Sequence, residues 1–282
     1  MFSQVLLTVD YDRTLTAPDS TVPERNLEAI RYFMENGGTF TVNTGRSIPM
    51  IRAFRDKIPV NAPLLLYNGS GAYDLTKEEM LFCHEIREDP WKIAEYCMKT
   101  FPDLTFEVQG LDAHYRFAEN PMWDALSDHN LCARAFAEPG HVFSPFLKFS
   151  LYGEIRSDRI SDMFEGSPRE LQRMTEVENT LRDHFGDRME IFRAGARIID
   201  VHAKGVSKMR SAQELKEALR KKILVCVGDG ENDVSMLQGA DYAFCPADGV
   251  VADRFPNVCK CADGAVADVI YREIPKILSE KA

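Results

Sequence analysis

One stretch near the N-terminus constrains the fold more than any other. The run 5–9 is short, apolar and partly β-branched, and Asp10-Tyr11-Asp12 follows it directly. Such a run predicts a buried strand that carries acidic groups to the edge of a sheet. If extended geometry persists, Asp10 and Asp12 lie on one side. Neighbouring carboxylates repel each other unless a cation, a shared proton or separate roles relieve them. The pair therefore indicates metal or acid–base chemistry, with a solvated acidic turn as the alternative.

Apolar runs that end in polar residues recur along the chain. The run 39–42 ends at Asn43-Thr44-Gly45-Arg46, the run 63–67 ends at Asn68, and the run 223–227 ends at Gly228-Asp229. Helices are predicted between these runs, the first from the capping-box spacing of Thr21 and Glu24. Strands alternating with helices predict an α/β fold, a doubly wound parallel-sheet (Rossmann-like) core with right-handed crossovers. In such a sheet the polar strand ends converge in one crevice.

The region 85–200 has a different pattern of predicted helices and strands. Asp89-Pro90 begins a predicted helix, Asn120-Pro121 begins a short one, and Ser167-Pro168-Arg169-Glu170 has the spacing of a second capping box. Between and after these helices, strands are predicted at 104–108, 114–117, 147–151, 189–192 and 197–201. We interpret 1–84 as the first part of a core domain, 85–200 as an inserted α+β cap domain, and 201–282 as the second part of the core.

Composition limits the classes of partner. The formal net charge of −10 argues against a nucleic-acid or anionic-membrane surface, because both need clustered positive charge. A small phosphate responds to a local cation and oriented amides, so phosphorylated metabolites are not excluded. The seven cysteines are an odd, scattered set that fits reduced thiols better than a disulfide framework. The N-terminus lacks a basic segment followed by a long apolar one, so we expect no signal peptide and a cytoplasmic protein.

Four polar segments, taken in order, resemble the motifs of the haloacid dehalogenase-like phosphohydrolases. They are Asp10-Tyr11-Asp12-Arg13-Thr14, Asn43-Thr44-Gly45-Arg46, Gly205-Val206-Ser207-Lys208 and Gly228-Asp229-Gly230-Glu231-Asn232-Asp233. The insertion between the second and third segments resembles the cap of the type IIB, Cof-like, sugar-phosphate phosphatase branch. The resemblance therefore covers the whole chain.

The resemblance implies a role for each residue of the first segment. Asp10 would be the nucleophile that forms an aspartyl-phosphate, and Asp12 would protonate the leaving group and then deprotonate water. The resemblance also implies Mg²⁺, which prefers oxygen ligands and offsets the repulsion between a carboxylate and a phosphate. Its ligands would be Asp10, the backbone carbonyl of Asp12, Asp229, and Asp233 as a ligand or an outer partner.

Phosphate and substrate contacts are implied for the remaining motif residues. Thr44 would bind a phosphoryl oxygen with the help of nearby amides, and Lys208 would offset charge on phosphate and nucleophile together. Lys204 competes for the second role, but Lys208 follows the Gly-Val-Ser pattern. Further candidate substrate-binding residues are Gly45, Arg46, Asn68 and Asn232, with Arg46 equally able to pair with an acidic neighbour.

Some features keep a structural interpretation. In the predicted cap, Tyr115, Phe117 and Trp123 are expected in a core rather than as a sugar platform. Cys259 and Cys261 bring two thiols close together, but the sequence has no second pair of cysteines at the spacing of a zinc site. A structural zinc is therefore not expected. Pro246-Ala247-Asp248 stands where family members often have an Asn-Ala pair, which places any role carried over to this loop in doubt.

The function that follows is Mg²⁺-dependent hydrolysis of a small phosphomonoester, with a sugar phosphate as the expected class. Two alternatives stay open. A phosphotransferase or phosphomutase would use the same aspartyl-phosphate, and a non-catalytic regulator would only bind a phosphorylated metabolite.

Overall fold

The computed structural model describes residues 1–52, 57–118, 133–153 and 166–280 of the 282-residue chain. It divides into two compact units, the first formed by Met1–Gly45, Arg55–Phe82 and Ser207–Ala282, the second by Arg46–Phe54 and Cys83–Val206. The helix expected at Asn120-Pro121, and Trp123, lie outside the described residues. Within those residues, no helix combines the length and the apolar character needed to cross a membrane.

The strands and helices of the described ranges are as follows in chain order. The strands are β1 (Val5–Val9), β2 (Thr39–Val42), β3 (Leu64–Leu66), β4 (Gly71–Asp74), β5 (Glu79–Cys83), β6 (Thr105–Gln109), β7 (His114–Arg116), β8 (Arg134–Phe136), β9 (Lys148–Tyr152), β10 (Met189–Gly195), β11 (Ile198–Ala203), β12 (Ile223–Val227), β13 (Tyr242–Pro246) and β14 (Asn257–Val258). The α-helices are α1 (Glu24–Glu35), α2 (Ile48–Arg52), α3 (Pro90–Thr100), α4 (Pro168–Phe185), α5 (Lys208–Ala218), α6 (Val234–Gly239), α7 (Ala265–Asp268) and α8 (Ile274–Glu280).

The first unit contains a five-stranded sheet in the order β14-β13-β12-β1-β2. Every pairing in it is parallel, which confirms the predicted α/β parallel-sheet fold class. β1 is fully buried between β12 and β2, with Leu7 opposite Val225 on one side and Phe40 on the other. The central position of β1 explains why its run is apolar on both faces, since helices of an α/β fold cover both sides of the sheet.

A small antiparallel sheet of the same unit continues from β2. Its order is β3-β4-β5, and a parallel bridge between Asn43 and Leu65 connects β3 to the end of β2. The predicted strand at 63–67 is therefore present but shorter, because Tyr67 and Asn68 have positive φ angles of 53° and 54°. The chain turns there, and Asn68 lies in the turn that follows β3, after the strand as predicted.

The second unit contains a six-stranded sheet in the order β10-β11-β9-β6-β7-β8. One face of this sheet packs with α3 and α4 around residues such as Phe106, Phe149 and Val177. Tyr115 is buried in this core and Phe117 packs against it, which confirms the core interpretation of these two aromatics. The predicted β10–β11 hairpin is antiparallel as expected.

The N-terminal caps of three helices can be compared with the caps that the sequence predicted. Ser167 and Glu170 form the predicted capping box of α4, and the Asp89 carboxylate accepts a hydrogen bond from the Trp91 amide at the start of α3. The capping box predicted at Thr21 is wrong. Helix α1 begins one residue after Pro23, and the Thr21 hydroxyl instead donates to Asp19 over 2.6 Å. Asp19 competes for the hydroxyl that the helix would have used.

Candidate active site

Asp10 lies at the C-terminal end of the central strand β1. Its backbone amide continues the sheet by donating to the Val227 carbonyl over 2.9 Å. An irregular turn, Tyr11–Leu15, follows, in which the Leu15 amide donates to the Asp10 carbonyl and Arg13 has a φ of 60°. Strand β1 ends at Val9, so Asp10 and Asp12 lie in the segment that follows it, and the expectation that they share one face stays a prediction. Asp10 is 7% exposed, and Asp12 is half-buried in the turn.

Lys208 connects Asp10 to the loop after β12. The Lys208 ammonium lies 2.6 Å from Asp10 Oδ1 and 2.6 Å from Asp233 Oδ1. Lys208 is the first residue of α5, whose N-cap Ser207 accepts a hydrogen bond from the Arg210 amide. All three charged side chains are buried, so charge pairing is needed to offset the loss of hydration. Lys204, the competing lysine, is half-exposed and pairs with Glu190 over 3.2 Å.

The loop after β12 is organised by Asp233. Its Oδ2 atom accepts hydrogen bonds from the backbone amides of Asp229 and Gly230, over 3.0 and 2.9 Å. A Cβ added at Gly228 would lie 2.6 Å from the Asp233 Cβ, so the turn requires a glycine there. Because Asp233 also faces Lys208, both of its oxygens are occupied by protein donors.

Thr14 is a residue of this site that sequence reasoning left without a role. Its hydroxyl donates to Asp229 Oδ1 over 2.8 Å, although the two residues are 215 positions apart. The only signal in the sequence is its place in the first motif. The bond fixes one oxygen of Asp229 and ties the first motif to the fourth.

Crowding of carboxylates perturbs their proton affinity. Burial, reinforced by Asp233 and Asp229 and opposed by Lys208, raises the pKa of Asp10 well above its ordinary value. Burial and the Asp233 charge raise the pKa of Asp229 to about 7. Burial alone would lower the pKa of Lys208, but Asp10 and Asp233 together raise it above its ordinary value. The site thus favours extra positive charge beyond the one lysine.

Three carboxylates could hold a metal ion. Oxygen atoms of Asp10, Asp229 and Asp233 all lie within 4.8 Å of one another, and no other such group occurs in the described ranges. Three ionised carboxylates and one ammonium sum to −2, the charge that one divalent cation balances. An all-oxygen donor set suits a hard cation. Asp10 and Asp229 are the better candidates for direct contact, because protein donors already occupy both Asp233 oxygens.

We expect divalent-cation binding to strengthen as pH rises towards 8. Between the ordinary pKa of 3.8 and about 7, folded Asp229 holds more protons than the unfolded chain, so the free energy of unfolding falls as pH rises. Above about pH 7 the Asp229 carboxylate has lost its proton, and a bound cation can take the place of that proton and restore the lost free energy of unfolding. At 100 times its dissociation constant the cation would add about 2.7 kcal/mol.

Thermal unfolding with and without MgCl₂ at pH 5.5 and 8 measures this effect. The rise in Tm should be larger at pH 8, and Asp229→Asn should remove most of it. A rise of equal size at both pH values, or one retained in Asp229→Asn, would contradict the assignment of Asp229 to the cation.

Thr44 and three other predicted residues form a second group in the first unit. Thr44 is buried beyond the end of β2, and its carbonyl accepts a hydrogen bond from the Asn68 amide over 3.0 Å. The Asn68 Oδ1 atom accepts from Asn232 Nδ2 over 3.5 Å. A Cβ added at Gly45 would lie 2.8 Å from Asn68 Oδ1, so the loop passes close to this amide. The structure therefore brings Thr44, Gly45, Asn68 and Asn232 together.

Arg46 and the loop that departs from the family pattern complete the predicted features. Arg46 is half-buried and belongs to the second unit. Asp248, in the loop that departs from the family pattern, accepts hydrogen bonds from the Cys261 amide and thiol over 2.9 and 3.3 Å. Its carboxylate thus holds the 259–263 turn in place. Six of the seven cysteines are described, and all six are free thiols, as expected.

Comparison with known proteins places this chain in a family. The sequence profile of the haloacid dehalogenase-like hydrolases matches residues 7–252. A Haemophilus influenzae protein named "Putative phosphatase" is 26% identical over 243 residues, which cover 82% of this chain and 80% of that protein. A Bacillus subtilis protein named "5-amino-6-(5-phospho-D-ribitylamino)uracil phosphatase YcsE" is 22% identical over 243 residues, which cover 83% of this chain and 80% of that protein.

A solved structure shares the fold. The haloacid dehalogenase-like hydrolase from Bacteroides thetaiotaomicron matches with a TM-score of 0.77 at 18% identity, over 95% of this chain and 98% of that one. The family expected from the four motifs is confirmed, and with it the hydrolase class. This chain belongs to the haloacid dehalogenase-like hydrolases.

Proposed function

We propose that this protein is a Mg²⁺-dependent phosphatase that hydrolyses small phosphomonoesters through an aspartyl-phosphate on Asp10. One observation carries the proposal. A buried lysine lies 2.6 Å from each of two buried aspartates, and a third aspartate shares the same cluster. A carboxylate can approach a phosphate dianion only where positive charge offsets the repulsion, and this cluster offers one ammonium and a carboxylate set that a divalent cation would balance.

The proposed first step transfers the phosphoryl group to the protein. A carboxylate oxygen of Asp10 attacks phosphorus while the bond from phosphorus to the ester oxygen breaks. Asp12 donates its proton to the departing alkoxide, and Lys208 offsets charge on Asp10. Thr44 would hold a phosphoryl oxygen through its hydroxyl.

The second step returns the free enzyme. Asp12, now ionised, takes a proton from water as the water oxygen attacks phosphorus, and the Asp10 carboxylate leaves. Inorganic phosphate is the product. Asp12 suits this role because it lies in the turn after Asp10 and is only half-buried.

Mg²⁺ would be held by Asp10, Asp229 and the backbone carbonyl of Asp12, with Asp233 as an outer partner. When bound it supplies positive charge that stabilises the transferring phosphoryl group. The assignment of Asp233 to the outer position follows from its hydrogen bonds to two backbone amides and its ion pair with Lys208.

A phosphorylated sugar or polyol is the proposed substrate class. The name of the Bacillus relative describes a phosphoribityl compound, in which the phosphate ends a polyol chain. That compound and the common hexose and pentose phosphates therefore belong in the test panel. The second unit would act as a cap that excludes water and selects the substrate.

Incubation of the purified protein with the panel and MgCl₂ tests the proposal. Free phosphate should appear with at least one sugar or polyol phosphate, and chelation of the cation with EDTA should stop its release. Formation of a phosphorylated isomer without free phosphate would favour a phosphomutase. Binding of these compounds without any turnover would instead favour a regulatory protein.

A further inference from the structure

Asn43 is a buried amide that the proposed reaction does not use. It follows β2, is fully buried, and continues the sheet by donating its backbone amide to the Val9 carbonyl over 2.8 Å. Its side chain points to the start of α5. Asn43 Nδ2 donates to the Lys208 carbonyl over 2.8 Å and lies 3.5 Å from Met236 Sδ.

The side-chain oxygen of Asn43 lowers the stability of this arrangement. Asn43 Oδ1 is buried, and no donor among the described residues of the protein hydrogen-bonds to it. The amide cannot be reversed to satisfy this oxygen, because the Lys208 carbonyl can only accept a hydrogen bond. A buried polar atom without a partner destabilises a fold. An apolar residue at position 43 would avoid that cost, so stability alone does not account for the asparagine.

The Lys208 carbonyl does not depend on Asn43 for satisfaction. It also accepts a hydrogen bond from the Ser211 hydroxyl over 3.0 Å. The bond from Asn43 is therefore additional, and its effect is to fix where the first turn of α5 lies relative to the end of β2. Gly69 restricts the same turn from another side, since a Cβ there would lie 2.3 Å from the Ser207 carbonyl oxygen.

We propose that Asn43 is a positioning residue that holds the backbone of Lys208 so that its ammonium reaches Asp10 and Asp233 together. Both contacts are 2.6 Å, which leaves little tolerance for displacement of the lysine backbone. Asn43 also precedes Thr44 directly, so the same hydrogen bond sets the second and third motifs at a fixed separation. This inference rests on the proposed function only for its kinetic consequence.

The test compares Asn43→Leu and Asn43→Ala with wild type in the whole 282-residue chain. Both variants remove the amide donor, and the alanine cannot overpack the site. We expect kcat to fall about 10- to 100-fold, as for a small misplacement of a catalytic group, while KM changes less than about threefold. Asn43→Leu should keep or raise the wild-type Tm, because the unpartnered oxygen is gone. A purely structural asparagine would give the opposite Tm change.

Thr41→Val, in the strand that Asn43 follows, is the matched control. It removes a buried hydroxyl whose hydrogen bond goes to the Pro63 carbonyl over 2.6 Å and not to the backbone of Lys208. Its Tm should fall while kcat stays near that of wild type. Equal kcat losses in Thr41→Val and both Asn43 variants, or wild-type kcat in the Asn43 variants, would overturn the proposal.

A readout without turnover separates this inference from the proposed function. A buried, hydrogen-bonded lysine ammonium gives its own ¹H–¹⁵N signal, which Lys208→Arg would identify by its absence. Asn43→Leu should shift or broaden that signal, and Thr41→Val should leave it in place. If wild type releases no phosphate from any compound, the function is wrong, and an unmoved Lys208 signal in Asn43→Leu would still overturn the positioning role.

Discussion

Asp10→Asn should lower phosphate release at least about 10⁴-fold while the protein stays folded. An amide of the same shape cannot form the acyl phosphate, so the covalent route is lost rather than slowed. Stability should be kept or increased, because burial and neighbouring carboxylates make the Asp10 charge unfavourable in the fold. Steady-state phosphate release and a thermal melt measure the two effects on one preparation.

The Asp12→Asn variant is the matched comparison. It keeps the nucleophile and the three clustered carboxylates but removes the proposed acid and base, which is expected to cost about 10²- to 10⁴-fold. With p-nitrophenyl phosphate, whose leaving group needs no proton, the phosphorylated protein should accumulate and be destroyed by hydroxylamine. Cation binding should be largely intact. Near-normal release by Asp10→Asn, or a hydroxylamine-resistant phosphoprotein, would contradict the mechanism.

Lys208→Met should be the most destabilising single substitution in the site. The methionine fills much of the same space but leaves Asp10 and Asp233 buried without their ammonium partner. Breaking a buried pair in this way typically costs about 3–5 kcal/mol. The free energy of unfolding should fall more at pH 8 than at pH 5, because protonation relieves carboxylates whose pKa is already raised.

Urea unfolding at the two pH values measures this loss, and Lys204→Met provides the control. Lys204 is half-exposed and its ion pair with Glu190 lies at the surface, so its loss should change stability by less than about 0.5 kcal/mol. Phosphate release should survive in Lys204→Met and be lost in Lys208→Met. If the two variants behaved alike, the assignment of Lys208 to the third motif would be wrong.

Sequence patterns located the site residues better than they described their contacts. Motif order identified Asp10, Lys208 and Asp229, and the structure brings them into one cluster. No pattern indicated that Thr14 would donate to Asp229, or that both oxygens of Asp233 would be occupied. The first contact joins residues 215 positions apart, and the Asp233 oxygens meet Lys208 and two loop amides only once the loop has folded. Local periodicity contains no information about either arrangement.

The elements of the fold likewise divide into those that the sequence predicted and those that it did not. β12 has the bounds that its apolar run predicted, and the α4 capping box has the predicted partners. The hairpin of β4 and β5 was not predicted, because Glu79–Cys83 is half-exposed and has no clear alternation. Strand β14 is only two residues long, too short for any periodic signal.

The place of β1 in its sheet has a consequence for biosynthesis. This strand is made first, yet one of its two neighbours is β12, and Val9 pairs with Val227. At about 5–20 residues per second, roughly 10–40 s pass before that neighbour has been synthesised. During this interval the apolar run of β1 cannot complete its pairing, and an unpaired apolar strand edge invites aggregation. One edge of β1 therefore stays without its native partner on the nascent chain until the β12 segment has been synthesised.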